Sequence, residues 1–503
     1  MQHPISNKMI VALLSVIFLI TFNFTFTNIA STYISGALGS STDLASYTIS
    51  YFAYGNVVGI PLVRPLSHRY GDSRCLSGLL TLFLIVSTLC SLSNSYYQVV
   101  IFRFLQGFVS GPLIPLVAHI IASAHEKKAT FLSSYGVILL SIITPTVGSS
   151  IGGIVAYEYE WSWNFHFNIP ILLILIPYFH FSLKNANIPK LEPSFNIVGY
   201  IFFSLWVLCF GSVITLGQFL DWHRSNIILS LFFIGMFSVI AHYLWDRKNP
   251  HAVLKLHLLL RYTLSFSLLC LSVLFASYFG MVLLLGLWLT LDVKFTPYWI
   301  ALILGHMMIA VVILAFFIDK LLKLDPRIPL SIALAFMAIS CFYTSNFAME
   351  IDFFRIAISR VLAGIGLALF FAPIVKMSSM EATADDAVDS NVLVQVTRCL
   401  SSGIGAAAFT TMWWRRSVFY HERLGEQLTP FSQQLKYYYQ KIKDFEIPKK
   451  ETYPELNKLL DQQSKALALD DTFYFMGWLL LIMFFCVVMS FIKKKELAAE
   501  AKT

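Results

Sequence analysis

A few charged side chains stand inside otherwise apolar runs, and they are the first places to look for chemistry. Arg103, Arg360 and Arg398 each lie within such a run, as do the amides Asn23, Asn28 and Gln106 and the imidazole of His306. A guanidinium stays charged at any ordinary pH, so in hydrocarbon it needs partners or a wet cavity, and such a charge reads as functional by default. For Arg103, toward the outer end of its run with Gln106 and Gly107 one turn on, the competing reading is snorkelling to an interface; a place in a proton or substrate path is favoured. His306 falls near the middle of its run and can change charge near neutral pH, which makes it the first candidate proton carrier. The plainer reading is a neutral, hydrogen-bonded histidine packed between helices. Acids near mid-run are almost absent. Glu158 and Glu160 lie at the end of one run and read as solvated groups that could admit protons from outside.

Other chemistries lack their residues. No GxxxxGK is followed by Ser or Thr, so nothing points to ATP. Neither paired carboxylates nor a nucleophile beside a base recurs at a spacing that suits a membrane-embedded enzyme. Cys90, Cys209, Cys270, Cys341 and Cys486 lie inside apolar runs, and Cys75 and Cys399 near run ends without CxxC spacing, so neither disulfides nor a metal site is indicated, and no cofactor is implied. The net charge of +8 comes from Lys and Arg placed between apolar segments rather than on one basic face, which argues for topology signals and against nucleic acid.

The elements that must position these residues are membrane spans. Hydrophobic residues make up 57% of the chain, charged residues 13%, and mean hydropathy is +0.70, against about a quarter charged in soluble domains. Apolar runs bounded by charge, Pro or Gly predict spans at 9–32, 45–65, 75–92, 99–122, 131–156 and 165–183, two more at 197–217 and 227–245, and six at 262–289, 298–318, 328–343, 356–377, 393–413 and 473–492. Fourteen spans place both termini on one side. Alternate loops and tails collect Lys8, Arg64, Arg69, Arg74, Lys127, Lys128, Lys184, Lys190, Arg247, Lys255, Arg261, Lys320, Lys376 and Lys493 to Lys495, whereas the opposite short loops hold only Arg224, Lys294 and Arg355. Positive loops stay in the cytoplasm, so the expectation is a multi-pass protein of the cell inner membrane with both termini cytoplasmic. Residues 1–183 then form one six-helix bundle, 184–260 two extra spans, and 261–503 a second bundle.

Between the last two spans lies a polar segment, 415–471. Leu428, Phe431, Leu435, Tyr438, Ile442 and Phe445 recur at spacings of three and four, and after Pro448 and Pro454 so do Leu456, Leu460 and Leu467. This predicts a helical hairpin outside the membrane. It either packs on the outer rim or presents its apolar stripe to a periplasmic adaptor protein.

Several motifs carry a family resemblance. Pro65-Leu-Ser-His-Arg-Tyr-Gly-Asp-Ser-Arg74 is similar to a cytoplasmic loop signature, with His68 in place of the usual acid and Arg69, Gly71 and Arg74 retained. Arg103-Phe-Leu-Gln-Gly107 with Gly111-Pro-Leu-Ile-Pro-Leu116 looks like an intramembrane arginine motif, and Pro145-Thr-Val-Gly-Ser-Ser-Ile-Gly-Gly153 like an antiporter motif in which Gly148, Gly152 and Gly153 let helices approach and Pro145 kinks the span. Trp161-Ser-Trp163, Asn168-Ile-Pro170, Arg360-Val-Leu-Ala-Gly-Ile-Gly366, Phe370-Phe-Ala-Pro373 and Asn391 through Arg398 to Trp413 extend the match over nearly the whole chain. Together they resemble the fourteen-span drug:proton antiporter branch of the major facilitator superfamily, EmrB-type export proteins in particular.

The resemblance implies an all-α major facilitator fold of two six-helix bundles plus two extra helices, proton-coupled export of a small-molecule substrate by alternating access, and an adaptor at 415–471. One departure bears on coupling. The branch usually carries an aspartate in span 1, and here Phe22-Asn23-Phe24-Thr25-Phe26-Thr27-Asn28 has Asn23, which cannot titrate. An interior of arginines, histidines, amides and aromatics favours neutral or anionic amphiphiles, including hydrophobic weak acids and siderophores, over lipophilic cations. An importer of the same fold and a non-transporting sensor or scaffold are the alternatives.

Overall fold

Hydrocarbon offers no water to backbone amides and carbonyls, so apolar runs must close their hydrogen bonds internally, as helices do. A computed structural model shows this. It describes residues 7–122, 127–183, 195–247, 249, 252–317, 320, 323–378, 380, 387–429, 431–444 and 449–500. The first helices are α1 (Asn7–Thr25), α2 (Thr27–Ala37), α3 (Tyr47–Gly59), α4 (Val63–Tyr70), α5 (Asp72–Ser91), α6 (Tyr96–Ser110), α7 (Leu113–Ala122), α8 (Lys127–Glu158), α9 (Trp163–His166) and α10 (Asn168–Ser182). Then come α11 (Ile197–Leu216), α12 (Asn226–Asp246), α13 (Tyr262–Leu291), α14 (Pro297–Ala315), α15 (Arg327–Thr344), α16 (Phe353–Ser378), α17 (Ala387–Gly425), α18 (Gln433–Asp444) and α19 (Lys449–Glu500).

The chain is a multi-pass membrane protein: among the described residues, 12 segments are long and apolar enough to cross a membrane. The expected spans 45–65 and 131–156 are not among them, for different reasons. The first is divided. α3 stops at Gly59, a 3-10 turn takes Ile60–Leu62 around Pro61, which has no amide hydrogen to give, and α4 continues to Tyr70. The second lies inside α8, a 32-residue helix whose side chains are described from Ile143 onward.

Packing divides the helices into two groups. In one, α1 and α2 pack on α8, α3 on α6, and α5 on α6 and α10; in the other, α13 packs on α17, α14 on α16, and α15 and α17 on α19. The groups meet along two seams, α8 against α14 and α3 against α17. Small residues allow the tightest approaches. Gly55 and Gly59 of α3 face the Phe104 and Phe108 carbonyls, while Gly107 and Gly111 of α6 face those of Phe52 and Asn56, so a methyl at any of the four would strike backbone. Helix α11 rests on α3 and α17, with Tyr51 and Ser212 hydroxyls 3.2 Å apart and those of Tyr54 and Thr215 3.0 Å apart. α12 packs on α11 and leaves Phe233, Phe237, Ile240 and Leu244 exposed, as a lipid-facing helix must.

The polar segment 415–471 departs from the expected hairpin. α17 continues unbroken to Gly425 and α19 begins at Lys449, so the span helices themselves project beyond the apolar band with only α18 between them. Leu428 and Phe431 precede α18, and Phe431 is 87% exposed. Phe445 and Pro448 lie outside the described residues. The projections are tied together: Trp413 Nε1 donates to the Lys465 carbonyl at 2.9 Å, Tyr420 Oη to Asp471 at 2.9 Å, and Arg416 pairs with Asp471. The spacing of three and four is divided between two helices, Leu435, Tyr438 and Ile442 on α18 and Leu456, Leu460 and Leu467 on the extension of α19, because nothing at the ends of the two spans breaks their helices.

Candidate functional site

α6 carries Arg103 into the first group, where the side chain is 0% exposed, which removes the snorkelling reading. Its Nε donates to the Thr48 carbonyl (3.3 Å), Nη1 to the Asn23 carbonyl (3.0 Å) and to Gln106 Oε1 (2.7 Å), and Nη2 to Thr27 Oγ1 (3.3 Å). The guanidinium lies 4.1 Å from the Phe52 ring centroid, a cation–π contact in a dry setting. Every one of these acceptors is neutral. Gln106 Nε2 donates on to Ser87 Oγ (2.7 Å) and toward Asn23 Oδ1 (3.4 Å). Asn23 and Asn168 exchange a pair of amide bonds, Nδ2 of Asn23 to Oδ1 of Asn168 at 2.6 Å and the reverse at 2.8 Å. Six helices, α1, α2, α3, α5, α6 and α10, converge on this arginine and its amide cage.

Asn28 sits one helix further along, on α2. Its Nδ2 donates to Ser149 Oγ at 2.8 Å, while its buried Oδ1 has no hydrogen-bond partner. Ser149 shares its proton between the Pro145 carbonyl (2.9 Å) and the Thr25 carbonyl (3.2 Å), so the hydroxyl ties α8 to α1. The motif glycines bring the helices that close. A methyl on Gly148 would strike Thr25 Oγ1, one on Gly152 the Phe26 carbonyl, and one on Gly153 would lie 2.5 Å from Ile29 Cγ2.

The second group repeats part of this arrangement. Arg360-x-Leu-x-Gly364 on α16 has the spacing of Arg103-x-Leu-x-Gly107 on α6, and Gly364 lets α16 meet the Met307 carbonyl of α14. Arg360 is also fully buried, with Nη2 on Thr344 Oγ1 (2.8 Å), Nε on Ser359 Oγ (3.1 Å) and Nη1 without a partner. Arg398, on α17, is 5% exposed and its Nε has no hydrogen-bond partner. His306 stands apart from the Arg103 cage. It lies half-buried on α14, with Nδ1 2.6 Å from the Leu302 carbonyl and its ring edge-on to Phe353 of α16.

In the loop after α4, Gly71 has φ +76°, a left-handed conformation that suits glycine at a tight turn. His68 and Arg69 are exposed, Arg69 over the Tyr70 ring, and Arg74 is exposed in the first turn of α5. The acid of this loop is Asp72, which sequence reasoning passed over: it accepts from Ser67 Oγ, and His119 Nε2 lies 3.8 Å away. At the same end Asp389 of α17 pairs with Arg64 of α4 and, at 2.8 Å, with Lys255, which follows α12. At the opposite end Asp292 lies 3.4 Å from Lys465, and burial pushes its carboxyl up to about 6 against the pull of that ammonium.

Asn168 and Asp72 were within quoted motifs and could have been found as polar residues at span ends. Asp389 carried no signal, since its partner Arg64 is 325 positions away.

A profile of the Major Facilitator Superfamily matches residues 13–406. Among curated proteins, the chain is 26% identical to "Multidrug export protein EmrB" of Haemophilus influenzae over 96% of each chain. It is 24% identical to "Fatty acid resistance protein FarB" of Neisseria gonorrhoeae over 83% of this chain and 82% of that one. Among solved structures, a proton-dependent oligopeptide transporter superposes with a TM-score of 0.62 at 12% identity, covering 98% of this chain and 100% of the other.

Proposed function

Because the chain belongs to the Major Facilitator Superfamily, and is therefore a membrane-embedded transporter of small molecules and not an enzyme, we propose that it is a proton-coupled exporter of neutral or anionic amphiphiles, working by alternating access. The observation that carries the substrate class is Arg103: a fully buried guanidinium whose acceptors are all neutral leaves uncompensated positive charge in a low-dielectric bundle. Such a field disfavours a lipophilic cation and favours a carboxylate-bearing or neutral one. Multidrug export is what the name of the similar EmrB protein describes, and the similar FarB protein is named for resistance to fatty acids. In this reading the bundles of residues 1–183 and 261–503 rock about the α8–α14 and α3–α17 seams, both termini are cytoplasmic in the inner membrane, and 415–471 faces a periplasmic adaptor. With Asn23 unable to carry a proton, His306 is the group to test first.

The experiment is flux in liposomes with a trapped pH dye and an imposed pH gradient, adding a hydrophobic weak acid, a neutral amphiphile and a lipophilic cation in turn. The expected result is proton movement that depends on the weak acid or the neutral compound and is lost in Arg103→Ala and His306→Gln. Flux driven by the cation alone overturns the substrate class. Flux unchanged in His306→Gln overturns the carrier.

A further inference from the structure

A cavity of 440 Å³ opens between α1, α8 and the α9–α10 corner, walled by Phe22, Ile151, Val155, Trp163, His166 and Phe167. Its volume falls within the roughly 300–1,000 Å³ of small-molecule sites. Ile151, Trp163 and Phe167 at its mouth are 43%, 56% and 48% exposed, so it opens sideways from the helix bundle toward lipid. It lies at the level of Tyr157, Tyr159, Trp161 and Trp163, an aromatic group of the kind that marks a membrane interface. Phe22 and Phe167 line it as a ring pair, with centroids 5.5 Å apart. Asn23 and Asn168 follow these two rings in sequence and are themselves 0% exposed.

The charge around the mouth has one sign. Glu158 and Glu160 flank the lining residue Tyr159, and both are exposed. The stretches of the first helix group at this end, 38–46, 91–97 and 157–170, contain no Lys or Arg. An apolar cavity beneath an aromatic rim with two carboxylates suits a ligand that has a hydrocarbon tail and a cationic head, because ring faces and carboxylates both attract an ammonium. In a bilayer the abundant molecule of that description is a phospholipid. We propose that this cavity seats one acyl chain of an outer-leaflet phospholipid, with the ammonium of a phosphatidylethanolamine headgroup held at Glu158 and Glu160.

The test uses the full-length protein in mild detergent, offered equimolar phosphatidylethanolamine and phosphatidylglycerol and examined by native mass spectrometry. Wild type is expected to retain one phosphatidylethanolamine, with a preference of about fivefold, the ratio an exposed ion pair to the two carboxylates provides. Ile151→Trp, which fills the cavity, loses that lipid at an unchanged melting temperature; Val155→Phe serves the same purpose should the first variant fail to fold. The double change Glu158→Gln and Glu160→Gln keeps a lipid bound but brings the two headgroups to near parity. A preference for phosphatidylglycerol, or retention unaffected by filling the cavity, overturns the proposal. Displacement of the lipid by a transported amphiphile overturns it too, and makes the cavity part of the transport route.

Discussion

Arg103 is held by two backbone carbonyls, an amide oxygen and a hydroxyl, and that set determines what substitutions there do. Lysine keeps the charge, but its compact ammonium cannot span acceptors placed for a planar fork. Arg103→Lys is therefore expected to stay folded by gel filtration while substrate-dependent flux falls by at least about tenfold. Arg103→Ala removes a donor from Gln106 and Thr27 and is expected to destabilise as well, by about 1–3 kcal/mol for each buried group left unsatisfied. Position 23 tests coupling from the other side. Asn23→Asp places a titratable group beside Arg103, so flux measured between about pH 5.5 and 8 should follow a pH profile different from that of wild type. An identical profile in the two proteins would place position 23 outside the coupling path.

At the scale of helices, the α8 contact with α1 and α2 depends on backbone approach. Gly152 faces the Phe26 carbonyl, which cannot swing aside as a side chain does, so Gly152→Leu is expected to reduce folded, monodisperse protein severely, whereas the same change at Gly78, with open space around it, should be tolerated. The projection of α19 gives a pH-dependent counterpart. Asp292 binds its proton more tightly in the folded protein, at about 6, than an ordinary carboxylate does. Its burial therefore costs stability that increases as pH rises from about 4 to 6 and is fully felt above that. Asp292→Asn removes the titration. Its Tm relative to wild type should rise between pH 4 and pH 7, and a constant difference would show that Asp292 titrates normally.

For the whole molecule, the decisive contact is the one that joins the groups at the positive end. Asp389 of α17 receives Arg64 from α4 and Lys255 from the segment after α12, so one carboxylate ties both helix groups and the extra helices together. Removing one partner of a part-buried ion pair leaves the others uncompensated. Asp389→Asn is expected to shift the population toward states open at that end, seen as longer distances between spin labels on α4 and α17. Distances that do not change would mean that the α3–α17 packing holds the seam by itself.

Sequence by itself determined the elements: runs of about 20 apolar residues must be helices in hydrocarbon, and the Lys and Arg distribution follows from which loops resist translocation. It also singled out Arg103, Asn23, Gln106 and the α8 glycines, because charge, amides and small residues are rare in such runs and stand out. Three things it left open. Where a helix ends is set by breakers and packing, so the hairpin expected at 415–471 became α18 between extensions of α17 and α19, and the span expected at 45–65 divided at Pro61. The amide cage required Asn168 to meet Asn23 across 145 residues, and the Asp389 pair required two helices 325 residues apart to touch. His306 looked central by its position along the run, but which way a helix turns its residues depends on its neighbours, and α14 turns this one toward Phe353 and away from the cage. Composition and period act along the chain; these contacts arise only when helices pack side by side.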